Sequence, residues 1–343
     1  MASERSTVQL AHGGGGRLSR QLIEELLVPA LGPSTGVLHD AAVLSIPGHR
    51  LAFTTDSYVV RPLFFPGGDI GRLAVFGSVN DLAMAGATPL ALSLGLILEE
   101  GLPLATLECV LHSIRSAADA CGVSVITGDT KVVEHGKGDG LYINTSAVGM
   151  VTHPLQIDPS AVQPGDAVLV SGDLGRHGVA VLTARAELGL RSALESDLAP
   201  LLGTVQSLLD AGINVHCLRD LTRGGLASGI DEIARSAGCS VELDEASIPV
   251  EEPVRSVCDL LGLDPLSMAN EGRMLVICPP ADADRALAVL RNHNARAGLV
   301  GWVQQTTQAK SAQGKEPVVC LRNTLGVVRP LDLHRGEQLP RIC

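Results

Sequence analysis

The pattern of apolar and polar positions changes period repeatedly along the chain, and each change predicts a new element. Residues 69–85 predict a helix, because apolar side chains recur every three or four positions behind Asp69, a candidate N-cap. The apolar run 90–98 predicts a strand, and residues 103–122 return to helical spacing. Helices that alternate with strands pack on sheets, so we expect an α/β arrangement in this half.

The same patterns assign most of the remaining chain. In the first half, a helix is predicted at 18–27, and strands are predicted at 40–44, 51–56, 123–126 and 142–151. In the second half, helices are predicted at 178–188, 200–211, 222–237, 252–261 and 282–292. Strands there are predicted at 167–171, 213–218, 240–244, 273–278, 298–303 and 317–322. This half is therefore expected to be α/β or α+β.

A boundary between two domains is expected near 154–164, where prolines interrupt the pattern. A chain of 343 residues commonly forms two domains. We expect an N-terminal domain at 1–153, a C-terminal domain at 164–330 and a mobile tail at 331–343. The polar stretch 304–316 is expected to be a surface loop.

The composition limits the class of protein. Apolar residues make up 45% of the chain but aromatic residues only 2%, so the core must consist of Ala, Val, Leu and Ile. The formal net charge of −11 argues against nucleic acid as a main partner, because the phosphate backbone binds cationic surfaces. The sequence has no long uncharged apolar run and no apolar segment near its start. These features predict a cytoplasmic protein that does not enter a membrane.

Eight cysteines occur and none forms a C-x-x-C pair, which argues against a zinc site or a thioredoxin-like motif. Cys109, Cys121, Cys258 and Cys278 lie in apolar segments and are expected in the core. Cys343 is the last residue of the sequence and follows a stretch expected to be mobile. A thiol there can enter a site and leave it again. The tail alone is compatible with a functional cysteine and with an incidental one.

A glycine run at 13–16 precedes the first predicted helix. Free backbone N–H groups at a helix N-terminus can bind an anion, so the run is a candidate phosphate site. It matches neither the Walker pattern nor G-x-G-x-x-G. A flexible linker therefore remains an equally good explanation of the run.

Four aspartates fall at predicted element ends or on a predicted helix: Asp40, Asp56, Asp81 and Asp129. A single aspartate is commonly a turn residue or a helix cap. Four together suggest oxygen ligands for Mg²⁺, which binds a few carboxylates and substrate phosphates. Lys131 is a candidate phosphate ligand or base, and a solvated surface lysine is the simpler alternative.

Two segments of the second half combine polar groups with a turn. Residues 219–225 (Arg-Asp-Leu-Thr-Arg-Gly-Gly) are predicted to link a strand to a helix, with Thr222 as the N-cap. Residues 268–273 place Asn270 and Glu271 before an apolar strand. A capped helix start and a tight glycine turn explain these segments equally well, so neither identifies a chemistry alone.

Together these segments resemble one protein superfamily. Asp81, Gly86, Ala87 and Pro89 have the spacing D-x4-G-A-x-P, which is similar to the ATP-site signature of aminoimidazole ribonucleotide synthetase and selenophosphate synthetase. Within that superfamily the chain resembles the HypE hydrogenase maturation factors, the carbamoyl dehydratases, along nearly its whole length. The matching segments are 13–16, 40–44, 54–57, 62–71, 79–89, 127–133, 142–145, 219–225, 269–272 and 340–343. The last segment, Pro-Arg-Ile-Cys, discriminates best, because the other members of the superfamily lack it.

The resemblance implies a two-domain aminoimidazole ribonucleotide synthetase-like fold. Its N-terminal α/β domain would bind ATP and form a homodimer, and its α+β C-terminal domain would end in a mobile tail. A carbamoyltransferase of the HypF type would load a carbamoyl group onto Cys343. A step that depends on ATP and Mg²⁺ would dehydrate this group to a thiocyanate. The cyano group would pass to iron held by HypC- and HypD-type proteins and become the cyanide ligand of a nickel–iron hydrogenase.

The resemblance also implies roles for residues at the matching positions. Asp40, Asp56, Asp81 and Asp220 would hold Mg²⁺ and ATP. The nucleotide site would also include Gly14, Gly15, Gly16, Asp129, Thr145 and Asn270. Glu271 would act as the base, Lys131 would stabilise the transferring oxygen, and Cys343 would carry the substrate.

Two positions depart from the family pattern. His39 stands where a second aspartate is common, and Arg176 stands where an aspartate is common before the sequence His-Gly. Either departure would alter the metal geometry rather than the function.

Two other functions remain open from the sequence. A selenophosphate synthetase-like phosphotransferase would need a reactive cysteine near the N-terminus, whereas the first cysteine here is Cys109. A non-catalytic docking protein would leave Lys131, Glu271 and the aspartates without a role. It would also hydrolyse no ATP above background.

Overall fold

Two open sheets with helices packed on them make up the fold. The computed structural model describes residues 16–27, 39–185, 192–306, 318–331 and 341–342. Within these ranges the strands form a five-stranded sheet, a seven-stranded sheet and a two-stranded hairpin.

The five-stranded first sheet has the strand order β1-β2-β7-β5-β6. Its strands are β1 (Ala42–Ile46), β2 (His49–Tyr58), β5 (Thr88–Glu99), β6 (Ser124–Val133) and β7 (Leu141–Val151). Neighbouring strands are antiparallel, except that β5 and β6 are parallel. Along β7 every second side chain is buried, so one face of the sheet packs on helices and the other face is open. The hairpin β3 (Phe64–Phe65) and β4 (Gly68–Asp69) follows β2.

Helix α2 (Ile70–Met84) joins the two halves of the chain. The Asp69 carboxylate accepts hydrogen bonds from the N–H groups of Gly71 at 2.8 Å and Arg72 at 3.1 Å, which caps the helix. The helix is buried on almost every side, because it packs on β2 and β7 and also contacts the second half. The predicted helix and its Asp69 N-cap are confirmed.

Two further helices belong to the first half. Helix α3 (Leu104–Cys121) packs against α2 and ends at Gly122, whose φ of 64° is left-handed and favours glycine. Helix α1 (Arg17–Leu22) follows Gly16 and continues as a π-helical turn at Ile23–Leu27.

The seven-stranded second sheet has the order β14-β13-β10-β12-β8-β11-β9. Its strands are β8 (Ala167–Val170), β9 (Cys217–Asp220), β10 (Ser240–Asp244), β11 (Met274–Cys278), β12 (Gly298–Gln304), β13 (Val319–Arg322) and β14 (Val328–Pro330). The helices of this half are α4 (Arg176–Thr183), α5 (Leu202–Asp210), α6 (Gly225–Ala237), α7 (Glu252–Leu261) and α8 (Ala283–His293). Strands β8 and β11 are buried along their whole length and form the centre of this half. In the part of the chain described, no helix is long and apolar enough to cross a bilayer.

Two predicted strands differ from the observed strands by four or more residues at one end, because the neighbouring strand with which each one pairs decides where it begins and ends. The strand predicted at 123–126 continues to Val133, since the following residues pair with the apolar strand β5. Asp129 therefore lies inside a strand rather than at its end. The strand predicted at 213–218 is shifted to β9, which pairs with β11. Strands β3, β4 and β14 were not predicted, because two or three residues carry no periodic signal.

The helix predicted at 222–237 begins only at Gly225. Its N-cap is Gly224, whose φ of 77° is left-handed, so Thr222 is not the N-cap. The Thr222 hydroxyl instead donates to Asp220 at 3.3 Å. The Thr222 side chain therefore lies near the end of β9, beside Asp220.

Cys109 contradicts the expectation that the four cysteines in apolar segments lie in the core. It is exposed and Cys121 is half-buried, whereas Cys258 and Cys278 are buried. Helix α3 buries only a narrow stripe that begins at Val110. Cys109 precedes that stripe by one position and is rotated from it by about 100°.

Candidate active site

Three carboxylates from distant parts of the chain meet where α2 packs against β9. Asp40 precedes β1, Asp81 lies on α2 and Asp220 ends β9. Each offers one oxygen such that the three oxygens lie within 4.8 Å of one another. We call these three residues the carboxylate cluster. It combines residues of both halves, since α2 contacts β9.

Burial dominates the electrostatics of the carboxylate cluster. It raises the pKa of Asp40 to about 6, although the Arg219 guanidinium opposes the rise. Burial and then the Asp40 charge raise the pKa of Asp220 to about 7. Burial and then the Asp56 charge raise the pKa of Asp81 well above its usual range. All three carboxylates are ionised together only if positive charge compensates them.

The carboxylate cluster fits a divalent cation. Asp40 Oδ2 is buried and has no hydrogen-bond partner in the described part of the chain. The other Asp40 oxygen pairs with Arg219, and Thr54 donates to Asp81 Oδ2 at 2.5 Å. Hard cations such as Mg²⁺ bind carboxylate oxygens of this kind together with phosphate oxygens. Asp40, Asp81 and Asp220 could therefore hold such an ion.

Asp56 lies on β2 beside the carboxylate cluster, outside its set of three. Its Oδ2 accepts a hydrogen bond from the Tyr58 hydroxyl at 3.0 Å. Asp56 also lines the cavity that the cluster faces. The structure thus brings all four predicted metal ligands to one wall, and the direct role of Asp56 stays a prediction.

A cavity of about 450 Å³ opens at the carboxylate cluster, and we call it the larger cavity. Its wall includes the three aspartates and four arginines, Arg20, Arg219, Arg223 and Arg235. Arg219 is held between Asp40 and Glu232, with Glu232 at 2.8 Å. Guanidinium groups bind phosphate oxygens, and carboxylates bind the accompanying cation. The larger cavity is therefore suited to a metal-bound polyphosphate.

Three predicted site residues, Gly14, Gly15 and Cys343, lie outside the described residues. Gly16 directly precedes α1, and α1 contributes Ser19 and Arg20 to the wall of the larger cavity. The helix that follows the glycine run therefore borders the candidate site. The predicted phosphate-binding role of the glycines stays a prediction.

Glu271 lines a second cavity of about 30 Å³, the smaller cavity. The two cavities share part of their walls, including Asp56, Asp81 and Asp220. Glu271 is only 3% exposed, and its Oε1 has no hydrogen-bond partner among the described residues. Burial and then the Asp220 charge raise the pKa of Glu271 well above its usual range. The structure thus places an unsatisfied carboxyl group directly beside the carboxylate cluster.

Asn270 holds the turn that carries Glu271. Its side-chain amide donates to the carbonyl oxygens of Leu221 and Met268, each at 3.0 Å. Its Oδ1 accepts from the Gly175 N–H at 2.7 Å. The amide is thus bonded to backbone groups on both sides. This arrangement positions Glu271, and the predicted contact of Asn270 with a nucleotide stays a prediction.

Thr145 lies behind the wall of the cavities rather than in it. It is fully buried on β7, opposite Asp56 on β2. Its hydroxyl lies 2.6 Å from Ser78 Oγ, which lies 3.4 Å from the Tyr58 hydroxyl. This chain of hydroxyl groups ends at Tyr58, which in turn donates to Asp56. Thr145 therefore supports the cavity wall in this structure.

Lys131 and Asp129 lie away from Glu271 within one chain. Both are exposed on β6, the edge strand of the first sheet. Three strand spacings, roughly 14 Å, separate β6 from β2, which carries Asp56. The single chain therefore does not bring Lys131 or Asp129 to the carboxylate cluster.

The side chains of Asp129 and Asp56 also belong to opposite faces of the first sheet. Asp129 is aligned with Gly95, and Gly95 is aligned with Asn144 on β7. Asn144 bonds Ser57 Oγ at 3.0 Å on the open face, whereas Asp56, the preceding residue, faces the helices. Side chains of one cross-strand row share a face, so Asp129 belongs to the open face.

Two residues of the tail, Arg341 and Ile342, lie against the body of the protein. Ile342 is only 4% exposed and belongs to the apolar cluster of the first half. Its carbonyl oxygen lies 2.7 Å from His177 Nε2. The Arg341 side chain donates to Asp139 at 2.8 Å. The residue before Cys343 is therefore held in place in this structure.

Comparisons with known proteins identify the family. A family model described as AIR synthase related protein, N-terminal domain, matches residues 38–151, and its C-terminal counterpart matches residues 163–311. The carbamoyl dehydratase HypE of Azotobacter vinelandii is 46% identical over 98% of this chain and 97% of its own length. The chain belongs to the HypE family of carbamoyl dehydratases. The HypE of Escherichia coli K12 is 44% identical over 98% of this chain and 100% of its own length.

Solved structures agree with this assignment to the HypE family. A HypE–HypF complex contains a chain with a TM-score of 0.84 and 39% identity, covering 91% of this chain and 99% of that one. A HypE in complex with ATP has a TM-score of 0.81 and 44% identity, and the match covers 98% of this chain and 100% of that one. The predicted resemblance and the aminoimidazole ribonucleotide synthetase-like fold are confirmed. The HypE family consists of enzymes of hydrogenase maturation.

The two departures from the HypE pattern lie in different places. His39 lines the larger cavity, and its Nδ1 accepts from the Asp40 N–H at 2.8 Å. Burial lowers the pKa of His39 to about 4, so the ring is neutral at physiological pH. Arg176 instead pairs with Asp173 at 3.0 Å and with Glu251 at 2.6 Å. Arg176 is not part of the wall of either cavity, so of these two residues His39 alone borders the candidate metal site.

Two residues of this HypE-family site were missed by the sequence reasoning. Arg219 pairs with Asp40, although its sequence context marks it only as a turn residue. Tyr58 reaches Asp56 and lines the smaller cavity. An arginine directly before the candidate metal ligand Asp220 was a usable signal, because a buried carboxylate needs a cation. Tyr58 lies two residues after Asp56 on β2, and side chains two positions apart share a face of a strand. The face of Tyr58 was therefore predictable once the strand was known.

Proposed function

We propose that this chain dehydrates a carbamoyl group carried on the Cys343 sulfur to a thiocyanate, in a step that consumes ATP. The product supplies the cyanide ligand of the iron in a nickel–iron hydrogenase. One observation supports this most: Glu271, whose Oε1 has no hydrogen-bond partner among the described residues, shares a cavity wall with Asp81 and Asp220 of the carboxylate cluster. We assign ATP binding and dimerisation to residues 1–153, a second α+β domain to residues 164–330, and the carrier arm to residues 331–343.

The proposed reaction explains why acids and cations occur together. Dehydrating an amide to a nitrile expels its oxygen, and hydroxide leaves poorly. Transfer of the γ-phosphoryl group of ATP to the carbamoyl oxygen converts that oxygen into part of a phosphate leaving group. When bound, Mg²⁺ neutralises charge on the transferring phosphates. Nitrogen loses two protons, the C–O bond breaks and ADP and phosphate are released.

The residues around the larger cavity would bind the metal-bound nucleotide. Asp40, Asp81 and Asp220 would hold Mg²⁺, with Asp56 beside them. The cavity arginines would contact phosphate oxygens. Gly14, Gly15 and Gly16 precede α1, which borders the same cavity, and we assign them to the phosphates. Thr145 and Asn270 would act by fixing the wall and the turn behind the nucleotide.

Glu271 is assigned as the base that takes a proton from nitrogen. Within the described ranges its Oε1 has no hydrogen-bond partner, so that oxygen is available to a substrate N–H. Its raised pKa makes the ionised form a strong proton acceptor, because burial disfavours the charge. Asn270 and the backbone contacts of the turn fix its position. Glu271 lines the smaller cavity, so a group bound in that cavity would lie within reach of its carboxyl group.

Lys131 and Asp129 are assigned to the site of a second copy of the chain. Their own chain keeps them on the open face of the first sheet, away from Glu271. That face carries exposed apolar side chains, including Phe53 at 42% and Ile97 at 41% exposure. A homodimer formed through this face would cover them. It would also allow Lys131 of one copy to stabilise the transferring oxygen bound to the other.

The proposed partners follow from the chemistry of the arm. A HypF-type carbamoyltransferase would load Cys343, and the existence of a HypE–HypF complex among the relatives supports this. The ATP complex of another relative supports the nucleotide assignment. HypC- and HypD-type proteins that carry iron would accept the cyano group.

The mass of the C-terminal peptide tests the proposal. The protein is loaded by its carbamoyltransferase and then given Mg²⁺ and ATP. We expect the Cys343 adduct to lose the mass of one water only when ATP is present. An adduct that never forms on Cys343, or that ATP leaves unchanged, would overturn the proposal and favour another phosphotransferase reaction of the superfamily.

A further inference from the structure

The ring of His177 is held in one orientation by the protein. His177 lies on α4 and is fully buried. Its Nδ1 lies 2.8 Å from Ser196 Oγ, and its ring meets Phe65 edge-on at 5.3 Å between centroids. Its Nε2 lies 2.7 Å from the Ile342 carbonyl oxygen. A carbonyl oxygen only accepts, so Nε2 carries the proton and Nδ1 accepts from the Ser196 hydroxyl.

Further contacts hold the tail beside the Ile342 carbonyl. The Ile342 side chain is buried in the same apolar cluster as Phe65 and Leu198. The Arg341 carbonyl oxygen accepts from the Arg61 N–H at 3.2 Å and from the Arg185 guanidinium at 2.9 Å.

Arg341 also turns the chain sharply. Its φ of 56° is left-handed, which is unfavourable for a residue with a side chain. Such a conformation persists only where surrounding contacts fix it. The Asp139 carboxylate supplies one of these contacts at 2.8 Å. The last two described residues therefore follow a path that the body of the protein determines.

The segments that contain His177 and Ser196 also bond the turn that carries Glu271. The residue after His177, Gly178, donates its N–H to the Ala269 carbonyl oxygen at 3.0 Å. The residue after Ser196, Asp197, accepts from the Glu271 N–H at 3.2 Å. His177 and Ser196 thus belong to segments that also bond the turn at 269–271. Cys343 follows Ile342 directly in the sequence.

We propose that His177 is a positioning residue for the carrier arm. Its Nε2–H holds the carbonyl of Ile342, the residue that directly precedes the carrier Cys343. His177 takes no part in bond making or breaking. The assignment deepens the proposed function and rests on Cys343 as the carrier, but the docking itself does not depend on any reaction.

Docking is measured first, by limited digestion with trypsin. Trypsin cleaves after Arg341 only when the tail has left its site, so release of the two residues that follow reports the undocked fraction. His177→Phe keeps an aromatic ring of similar size and lacks the N–H. We expect it to release them about tenfold faster, as the loss of one hydrogen bond implies. His177→Gln keeps a donor and should stay near the wild-type rate.

Two further variants control this result. His293→Phe is the matched control, because His293 is exposed and bonds Ser207 at 2.9 Å far along the chain from the tail. It should release the two residues at the wild-type rate. Ile342→Ala removes the buried side chain from the tail itself, so it tests the docking even if His177→Phe does not fold. It should also accelerate release.

Function is then measured on preloaded protein. In His177→Phe the rate of dehydration with saturating ATP should fall, while loading by the carbamoyltransferase and ATP affinity stay unchanged. His177→Gln should restore dehydration. Unchanged trypsin release in both His177→Phe and Ile342→Ala would overturn the docking, and faster release with normal dehydration would overturn the positioning role. If wild-type protein itself does not dehydrate its adduct, the proposed function fails, and the trypsin result still decides the docking.

Discussion

Asp81 and Asp220 place carboxylate oxygens within 4.8 Å of each other, although one lies on the helix of the first half and the other ends a strand of the second. Two buried carboxylates this close repel each other when both are ionised. A protein keeps such a pair where a cation binds it in the working state. The relationship therefore supports the proposal that both halves of the chain serve one metal-dependent reaction.

The carboxylate cluster predicts that the ligand-free protein loses stability as the pH rises. An unfolded aspartate has a pKa of about 3.9. The folded pKa is raised to about 6 for Asp40 and about 7 for Asp220. The contribution of these two carboxyl groups to the free energy of unfolding is therefore fully present below about pH 4 and is lost as the pH rises to about 7. The loss is on the order of 1.4 kcal/mol for each unit by which the folded pKa exceeds the unfolded pKa.

Urea unfolding without divalent ions at about pH 5 and about pH 8 measures this loss. Asp220→Asn removes one titrating group and should make the free energy of unfolding less dependent on pH. The exposed Asp210 provides the control, because Asp210→Asn should leave the dependence as in the wild type. A free energy of unfolding that rises between the two pH values would contradict the account.

Glu271→Gln should separate loading from dehydration. The amide keeps the shape of the side chain but cannot accept a proton from nitrogen. We expect normal loading of Cys343 and normal ATP affinity, with dehydration slowed by about 10²–10⁴-fold. Single-turnover mass analysis of the loaded protein measures the rate. The half-buried Glu245, which lines neither cavity, is the control for the same substitution, and normal dehydration in Glu271→Gln would remove Glu271 as the base.

Cys343→Ala should abolish formation of the cyano group and leave ATP binding intact. The thiol carries the substrate in this account and is not a nucleotide ligand. Calorimetric titration with ATP and Mg²⁺ measures the affinity, and mass analysis measures the product. Cys109→Ala removes an exposed thiol elsewhere and should change neither. A large loss of ATP affinity in Cys343→Ala would count against the carrier role.

Mixed dimers test whether Lys131 serves the other copy. Lys131→Ala and Glu271→Gln should each be inactive as separate proteins. If Lys131 acts across the dimer, a mixed dimer contains one site with Glu271 from the first variant and Lys131 from the second. Mixing should then restore dehydration, whereas a role within one chain leaves the mixture inactive. Lys137→Ala, on an exposed lysine of the following loop, should remain active by itself.

Local chemistry made part of the structure predictable. Asp69 caps α2 because its carboxylate bonds N–H groups two and three residues later, and this pattern is visible in the sequence. The apolar runs of β5, β7, β8 and β11 were equally visible, because burial requires them. The family signature around Asp81 then indicated the fold and the enzyme class.

Relationships between distant segments were not predictable in the same way. Lys131 and Glu271 were expected at one site, but strand order places Lys131 at the far edge of the first sheet. Thr222 has the chemistry of an N-cap, yet two left-handed glycines delay the helix to Gly225. The bond between His177 and Ile342 depends on how α4 packs against the tail. Periodicity contains no information about such contacts.

The oxygen of the carbamoyl group provides the most direct test of the central claim. Cys343 is loaded with a carbamoyl group whose oxygen is ¹⁸O, and Mg²⁺ and ATP are added for a single turnover. If dehydration proceeds through phosphoryl transfer to that oxygen, the released inorganic phosphate will contain the label. Unlabelled phosphate with the label in water would show that ATP hydrolysis is not the step that removes the oxygen, and would contradict the account.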